Sequence, residues 1–197
     1  MNPWQAGRGF FFLLNRGVFD VRWFWIDRYL EFVSGSHATA IKNVSLSEPY
    51  VLEYSKNFSS YPPSLIIEGM AQTGGLLVNQ AFDFGKKVVL AKVGKSVFHE
   101  WALPGDQLRI QVEIENMQDD GSMVTCVCHR GEQVLVEADL MFAYPEDQFA
   151  DKEFFADDGL SSILRTLRIF EVGKNKDGSP IEIPPHFLQA ERESIQQ

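Results

Sequence analysis

The stretch that most constrains this chain is Pro62 to Ala81, PPSLIIEGMAQTGGLLVNQA, the longest segment free of turn signals once its opening Pro-Pro pair has set a first helical turn. It reads as one buried helix. Ile67, Met70, Ala71, Leu77 and Val78 are apolar, and Leu65, Ile66 and Leu76 fill the other side, so the cylinder is apolar nearly all round. Such a helix must be wrapped rather than packed on one side. Gly69, Gly74 and Gly75 each cost a helix interior about 1 kcal/mol relative to alanine, and close approach of sheet backbone would explain their presence.

The polar residues inside this segment are Glu68, Gln72 one turn on, Thr73, Asn79 and Gln80. A carboxylate withdrawn from water must be paired, protonated or turned toward a cavity, because burying it bare costs several kcal/mol. Glu68 is therefore either a structural carboxylate bonded to a neighbouring strand or an active-site acid.

With 197 residues, 22.4 kDa and 45% hydrophobic residues, the chain can bury a full core, and it reads as one soluble domain with extensions. A net charge of -9 and a pI near 4.9 argue against a nucleic-acid binder, which needs a basic surface. The apolar run from Gly9 to Leu14 is too short to span a bilayer and lacks a small-residue cleavage site, so no membrane span and a cytoplasmic location are expected. Cys126 and Cys128 alternate on one strand face and are too few to hold zinc, and His37, His99, His129 and His186 lack ligand spacing. No metal and no cofactor are expected, since glycine-rich phosphate loops and nucleophile elbows are absent too.

Three regions follow along the chain: an arm over residues 1–20, a main domain over 21–145, and an extension over 146–197. The run WFWIDRYLEF and the segment ATAIKNVSL read as two strands joined by a turn at Ser34-Gly35-Ser36. Glu48 to Tyr61 reads as a loop or irregular strand feeding the helix and forming a site wall. After the helix, KKVVLAKVGKSVF, LRIQVEI, Met123 to Arg130 and Val134 to Tyr144 are strands, with turns at Pro104-Gly105, Asp120-Gly121 and Gly131. This is an α+β plan in which an antiparallel meander bends around one long helix. Beyond Pro145, LSSILRTLRIF places Ile163, Leu164 and Leu167 on one helical face that packs back on the domain, and residues 173–197 read as a loosely held tail.

The segments IDRYLEF, IKNVSLSEP, SLIIEGMAQTGGLL, LAKVGKSVF, LPGDQLRIQVEI and VEADLMFAY, in this order from about Trp23 to Tyr144, resemble the FabA/FabZ hotdog-fold 3-hydroxyacyl-[acyl carrier protein] dehydratases. The resemblance implies a homodimer, or a higher oligomer, joined edge to edge through its sheets. It also implies acyl chains held in tunnels between the two subunits' helices, and acyl carrier protein or another acyl thioester as partner. In the family a segment resembling His-Phe-Pro-Gly-His-Pro-Val-Met-Pro-Gly precedes the helix, its first His removing the α-proton with an acidic helix residue as partner. Glu68 falls on the acidic position, and the family's spacing places Tyr54 where the histidine stands. The segment from Glu53 to Pro63 keeps only the proline before the helix.

A phenol with a reference pKa of about 10 is protonated at neutral pH, so Tyr54 can donate a proton but is a poor base. The family's last glycine, whose N–H polarises the thioester carbonyl, falls on Pro63, which has no N–H. Losing one such donor typically costs about 10²–10³ in rate. Glu68 and Tyr54 are thus the catalytic positions, while Phe58, Pro62, Pro63, Ser64, Gln72 and Phe98 are the expected substrate-binding residues. Three functions fit: a dehydratase homologue with an altered site, a non-catalytic acyl-binding or partner subunit, and a hotdog thioesterase in which Glu68 activates water.

Overall fold

A computed structural model describes residues 24–53, 58–145 and 157–195. Strands β1 (Arg28–Val33) and β2 (His37–Asn43) form the expected hairpin, and a short helix α1 (Pro49–Glu53) precedes the central helix α2 (Pro63–Gln80). Strands β3 (Val89–Phe98), β4 (Gln107–Met117), β5 (Gly121–Arg130) and β6 (Gln133–Ala143) follow. Helices α3 (Asp157–Thr166) and α4 (Ile169–Val172), strand β7 (Gly173–Lys174) and helix α5 (Pro185–Ile195) complete the order.

The strands make one sheet in the order β3-β6-β5-β4-β2-β1-β7, and α2 lies against strands β2 to β6. All pairings are antiparallel except that of β7 with β1. This is the α+β hotdog architecture. Alternation does the sorting: Leu108, Ile110 and Val112 on β4, Val124, Cys126 and Cys128 on β5, and Ala138, Leu140 and Phe142 on β6 all point inward onto α2. Both cysteines are free and buried, as strand residues of an apolar core. The turn before β4 closes with the Asp106 N–H donating to the Leu103 carbonyl at 3.0 Å, and Gly105 takes φ +93°, the left-handed region that glycine occupies at little cost.

The helix glycines face side chains more than sheet backbone, which corrects the expectation. A Cβ on Gly74 would lie 3.2–3.3 Å from Val124, Phe142 and Val112, and one on Gly69 would lie 3.0 Å from Ile110 and 3.1 Å from the Trp25 carbonyl oxygen. Two further expectations are corrected. The stretch before α2 contains α1, a helical turn started by Pro49 and anchored by the buried Val51, not only loop or irregular strand. The tail beyond residue 172 is not loosely held: β7 pairs with β1, and α5 docks on α3, where Arg165 and Ser161 both bond the Glu191 carboxylate. Its anchor is Phe187, fully buried with its ring 5.7 Å from that of Phe84. The face of α3 and the turn after it behave as the periodicity requires, since Ile163, Leu164 and Leu167 are buried and the Tyr29 N–H donates to the Leu167 carbonyl at 2.9 Å.

Candidate functional site on the central helix

Helix α2 begins with Pro62 at its N-cap and Pro63 at its first position, and no side chain caps it. The Leu65 N–H donates to the Pro62 carbonyl at 2.9 Å. Pro63 has no N–H, so the first amide the helix offers is that of Ser64, an exposed residue. Ser64, Glu68 and Gln72 follow at one-turn spacing and share a face. That face is the least covered side of α2, with Ile67, Glu68, Gln72, Gly75, Leu76 and Asn79 all half-buried, whereas Met70, Thr73, Leu77 and Val78 lie in the core.

Glu68 sits at the centre of this stripe. Burial pushes its carboxyl pKa up from the ordinary value, and a hydrogen bond from the Gln72 amide pulls it back down. The Gln72 Nε2–H donates to Glu68 Oε1 at 3.1 Å, and Gln72 Oε1 accepts the Trp25 backbone N–H at 2.9 Å. A carboxyl whose pKa is raised by burial and which is held by an amide is the kind of group that general acid–base chemistry uses.

A second feature opens beside the helix start. Tyr61, Pro63, Ile66, Phe98, His99 and Trp101 line a pocket of about 140 Å³, apolar except for the histidine and the adjoining Glu100. Phe58 stands at its rim with its ring 6.0 Å from that of Trp101, edge to face. Phe58, Phe98 and Trp101 are 46%, 48% and 47% exposed, so three large aromatic side chains meet water around this pocket. His99 lies past the end of β3, exposed, with Nε2 2.8 Å from Glu137 Oε2. The pocket floor is tied to the fold through the Tyr61 N–H, which donates to the Ala102 carbonyl at 2.8 Å.

The sequence-predicted residues thus fall into two groups. Pro63, Phe58 and Phe98 gather at the pocket, with Pro62 buried behind and Ser64 exposed on the next helical position. Glu68 and Gln72 pair with each other further along α2, and Glu68 is not among the pocket's lining residues. Tyr54 lies outside the described residues. Tyr61 lines the pocket at the end of the stretch read as a site wall, whereas sequence reasoning missed Trp101 as a pocket wall and Trp25 as a partner of Gln72. Trp101 could have been flagged as an aromatic just ahead of the Pro-Gly turn, but nothing local to Trp25 announces its bond. Among the described residues, no group of three or more His, Cys, Asp or Glu could hold a metal ion, and no helix is long and apolar enough to cross a membrane.

Comparison with known proteins places this geometry. The chain is 36% identical over 119 residues to the 3-hydroxyacyl-[acyl-carrier-protein] dehydratase FabZ of Pelotomaculum thermopropionicum, a match covering 60% of this chain and 85% of that one. It is 37% identical to the FabZ of Symbiobacterium thermophilum, covering 60% and 84%. Among solved structures, the dehydratase heterocomplex ApeI:P from Xenorhabdus doucetiae has a similar fold, with a TM-score of 0.53 at 17% identity over 71% of this chain and 88% of that one. So does smu.793 from Streptococcus mutans bound to acetyl CoA, with a TM-score of 0.52 at 16% identity, covering 65% and 95%. The family model for a FabA-like domain matches residues 23–139, the span that holds the wrapped helix, its Glu68–Gln72 pair and the strands around them. By fold and by sequence, the chain belongs to the FabA-like domain family.

Proposed function

We propose that this chain handles acyl thioesters in fatty-acid metabolism as a FabZ-like homologue that does not carry out ordinary (3R)-3-hydroxyacyl dehydration. The observation that carries the reading is the Glu68 carboxyl, desolvated and amide-bonded on the half-buried stripe of α2, in a chain that has Tyr54 at the family's base position and Pro63 at its oxyanion glycine. Dehydration needs a base for the α-proton, an acid for the leaving hydroxyl and a donor for the thioester oxygen. Glu68 supports one proton-transfer role. Tyr54 supports donation and not abstraction, and Pro63 removes the amide donor, leaving the Ser64 N–H as the next one along the helix. The aromatic pocket of Phe58, Phe98 and Trp101 supports an apolar ligand, with Phe58, Pro63, Ser64 and Phe98 as contact residues.

The open β3 edge supports a homodimer, and acyl carrier protein is the partner that delivers the thioester. The cytoplasm is the compartment in which such a chain would work. The test is mass-spectrometric turnover of a 3-hydroxyacyl-carrier thioester by the purified protein and by Glu68→Gln, following substrate, enoyl product and free acid together. Unchanged substrate that co-purifies with the protein is the expected result and marks a binding or partner subunit. Glu68-dependent enoyl product would overturn the loss of dehydration. Glu68-dependent free acid would move the reading to a thioesterase in which Glu68 activates water. An absence of any acyl binding would sink the acyl reading as a whole.

A further inference from the structure

We propose that the aromatic pocket at the start of α2 is shaped for a single aromatic ring, so that the acyl group this chain prefers is an aryl one and not a long alkyl chain. The inference rests on the acyl-thioester reading and deepens it by naming the class of acyl group.

The rings of Tyr61, Phe98 and Trp101 line a space of about 140 Å³, and Phe58 stands at its rim. An engineered apolar cavity of about 150 Å³ accepts benzene, whereas pockets for drug-sized ligands run to roughly 300–1,000 Å³. By that measure the space has room for about six carbons. Ile66 and Ala102, also among its lining residues, are 2% and 1% exposed, so its inner side ends in packed core. An alkyl chain longer than the pocket is left with its remainder in water.

The walls are fixed before any ligand arrives. Tyr61 is buried, its ring packs edge-on against Trp25 at 6.5 Å and Tyr50 at 6.4 Å, and its N–H donates to the Ala102 carbonyl at 2.8 Å. Across the pocket, Arg130 Nη1 donates to the Trp101 carbonyl at 3.3 Å and to Asp106 Oδ2 at 2.9 Å, which braces the segment carrying Trp101 against β5. Preformed walls suit a rigid ligand: a ring gives up no internal rotation on entry, and an alkyl chain does. A ring also meets ring walls edge to face, a contact worth more than its burial alone. Glu100 lines the same pocket and His99 is already engaged by Glu137, so a carboxylate on the ligand is disfavoured. The ring therefore enters uncharged, as the acyl part of a thioester and not as the free acid.

The test titrates the purified full chain with benzoyl coenzyme A, octanoyl coenzyme A and coenzyme A alone, by calorimetry. Hydrophobicity by itself favours octanoyl, the larger apolar group, so the two accounts predict opposite orders. Benzoyl should bind about fivefold or more tightly than octanoyl, and Phe98→Ala and Trp101→Ala should each weaken it by about two- to tenfold while leaving octanoyl little changed. Both residues are half-exposed, so the variants should fold; if they do not, the order of the two thioesters on the wild type decides alone. Octanoyl binding as tightly as benzoyl, or a benzoyl preference that survives both substitutions, would overturn the proposal and leave the acyl-thioester reading standing. If neither thioester binds, benzyl alcohol is the deciding probe. Shifts of the Phe98 and Ala102 amides that vanish in Trp101→Ala would keep the ring site and retire the thioester reading, and no shifts would retire both.

Discussion

At the scale of single residues, the raised pKa of Glu68 has a definite sign for stability. Its folded value lies above the ordinary 4.5, so as pH rises the unfolded chain gives up this proton first. The contribution of this group is fully present below about 4.5 and is lost as pH climbs through the folded value. Glu68→Gln removes that loss. The variant should therefore unfold at an equal or higher temperature than wild type at pH 7, with the gap closing in acid, as thermal scans at both conditions would read. A loss of about 2 kcal/mol or more at every pH would instead mark a structural carboxylate. Glu68 and Gln72 were legible because one helical turn separates them. Their third partner was not, because the Trp25 bond to Gln72 spans 47 positions and involves a backbone group that every residue but proline carries.

Elements were more legible than contacts. The Pro-Pro start, the apolar cylinder and the later turn residues locate α2 and the β3–β6 strands closely, since each signal is local and repeats with the period of its structure. The short α1 escaped because a single turn has no period to show. Gly69 illustrates how elements meet: a methyl there would gain about 1 kcal/mol of helix propensity but press on the Trp25 carbonyl and Ile110. Overpacking of this kind costs roughly 1–3 kcal/mol, and backbone yields less easily than a side-chain tip. Gly69→Ala should then lower stability by up to about 2 kcal/mol in denaturant titration. Because Trp25 holds Gln72, the same change should also shift the Glu68 titration, a double effect that an ordinary core substitution would not produce.

On the scale of the whole molecule, residues 157–195 close over one end of the hotdog core instead of trailing from it. Phe84, just past α2, sits at φ +60°, an uncommon region for a bulky side chain, with its ring between those of Phe170 at 6.3 Å and Phe187 at 5.7 Å. Clamped in this way, the end of α2 and the C-terminal helices should unfold together. Phe187→Ala should cost about 3–5 kcal/mol and displace one cooperative transition, whereas two separated transitions in calorimetry would make the extension an independent unit. Sequence reading missed this docking because the apolar residues of the tail are sparse, and their worth appears only against Phe84.

β7 gives the extension a further consequence. It occupies the flank of β1, and its own outer side is closed by the Lys174–Pro180 bridge. Among the described strands this leaves β3, studded with Lys92 and Lys95 and broken by register shifts, as the side with an unmatched row of amides and carbonyls. In the language of polymers, β7 is an end-cap on the part of the β1 flank that it pairs, Phe32 and Val33, and among the described strands β3 is the end left uncapped.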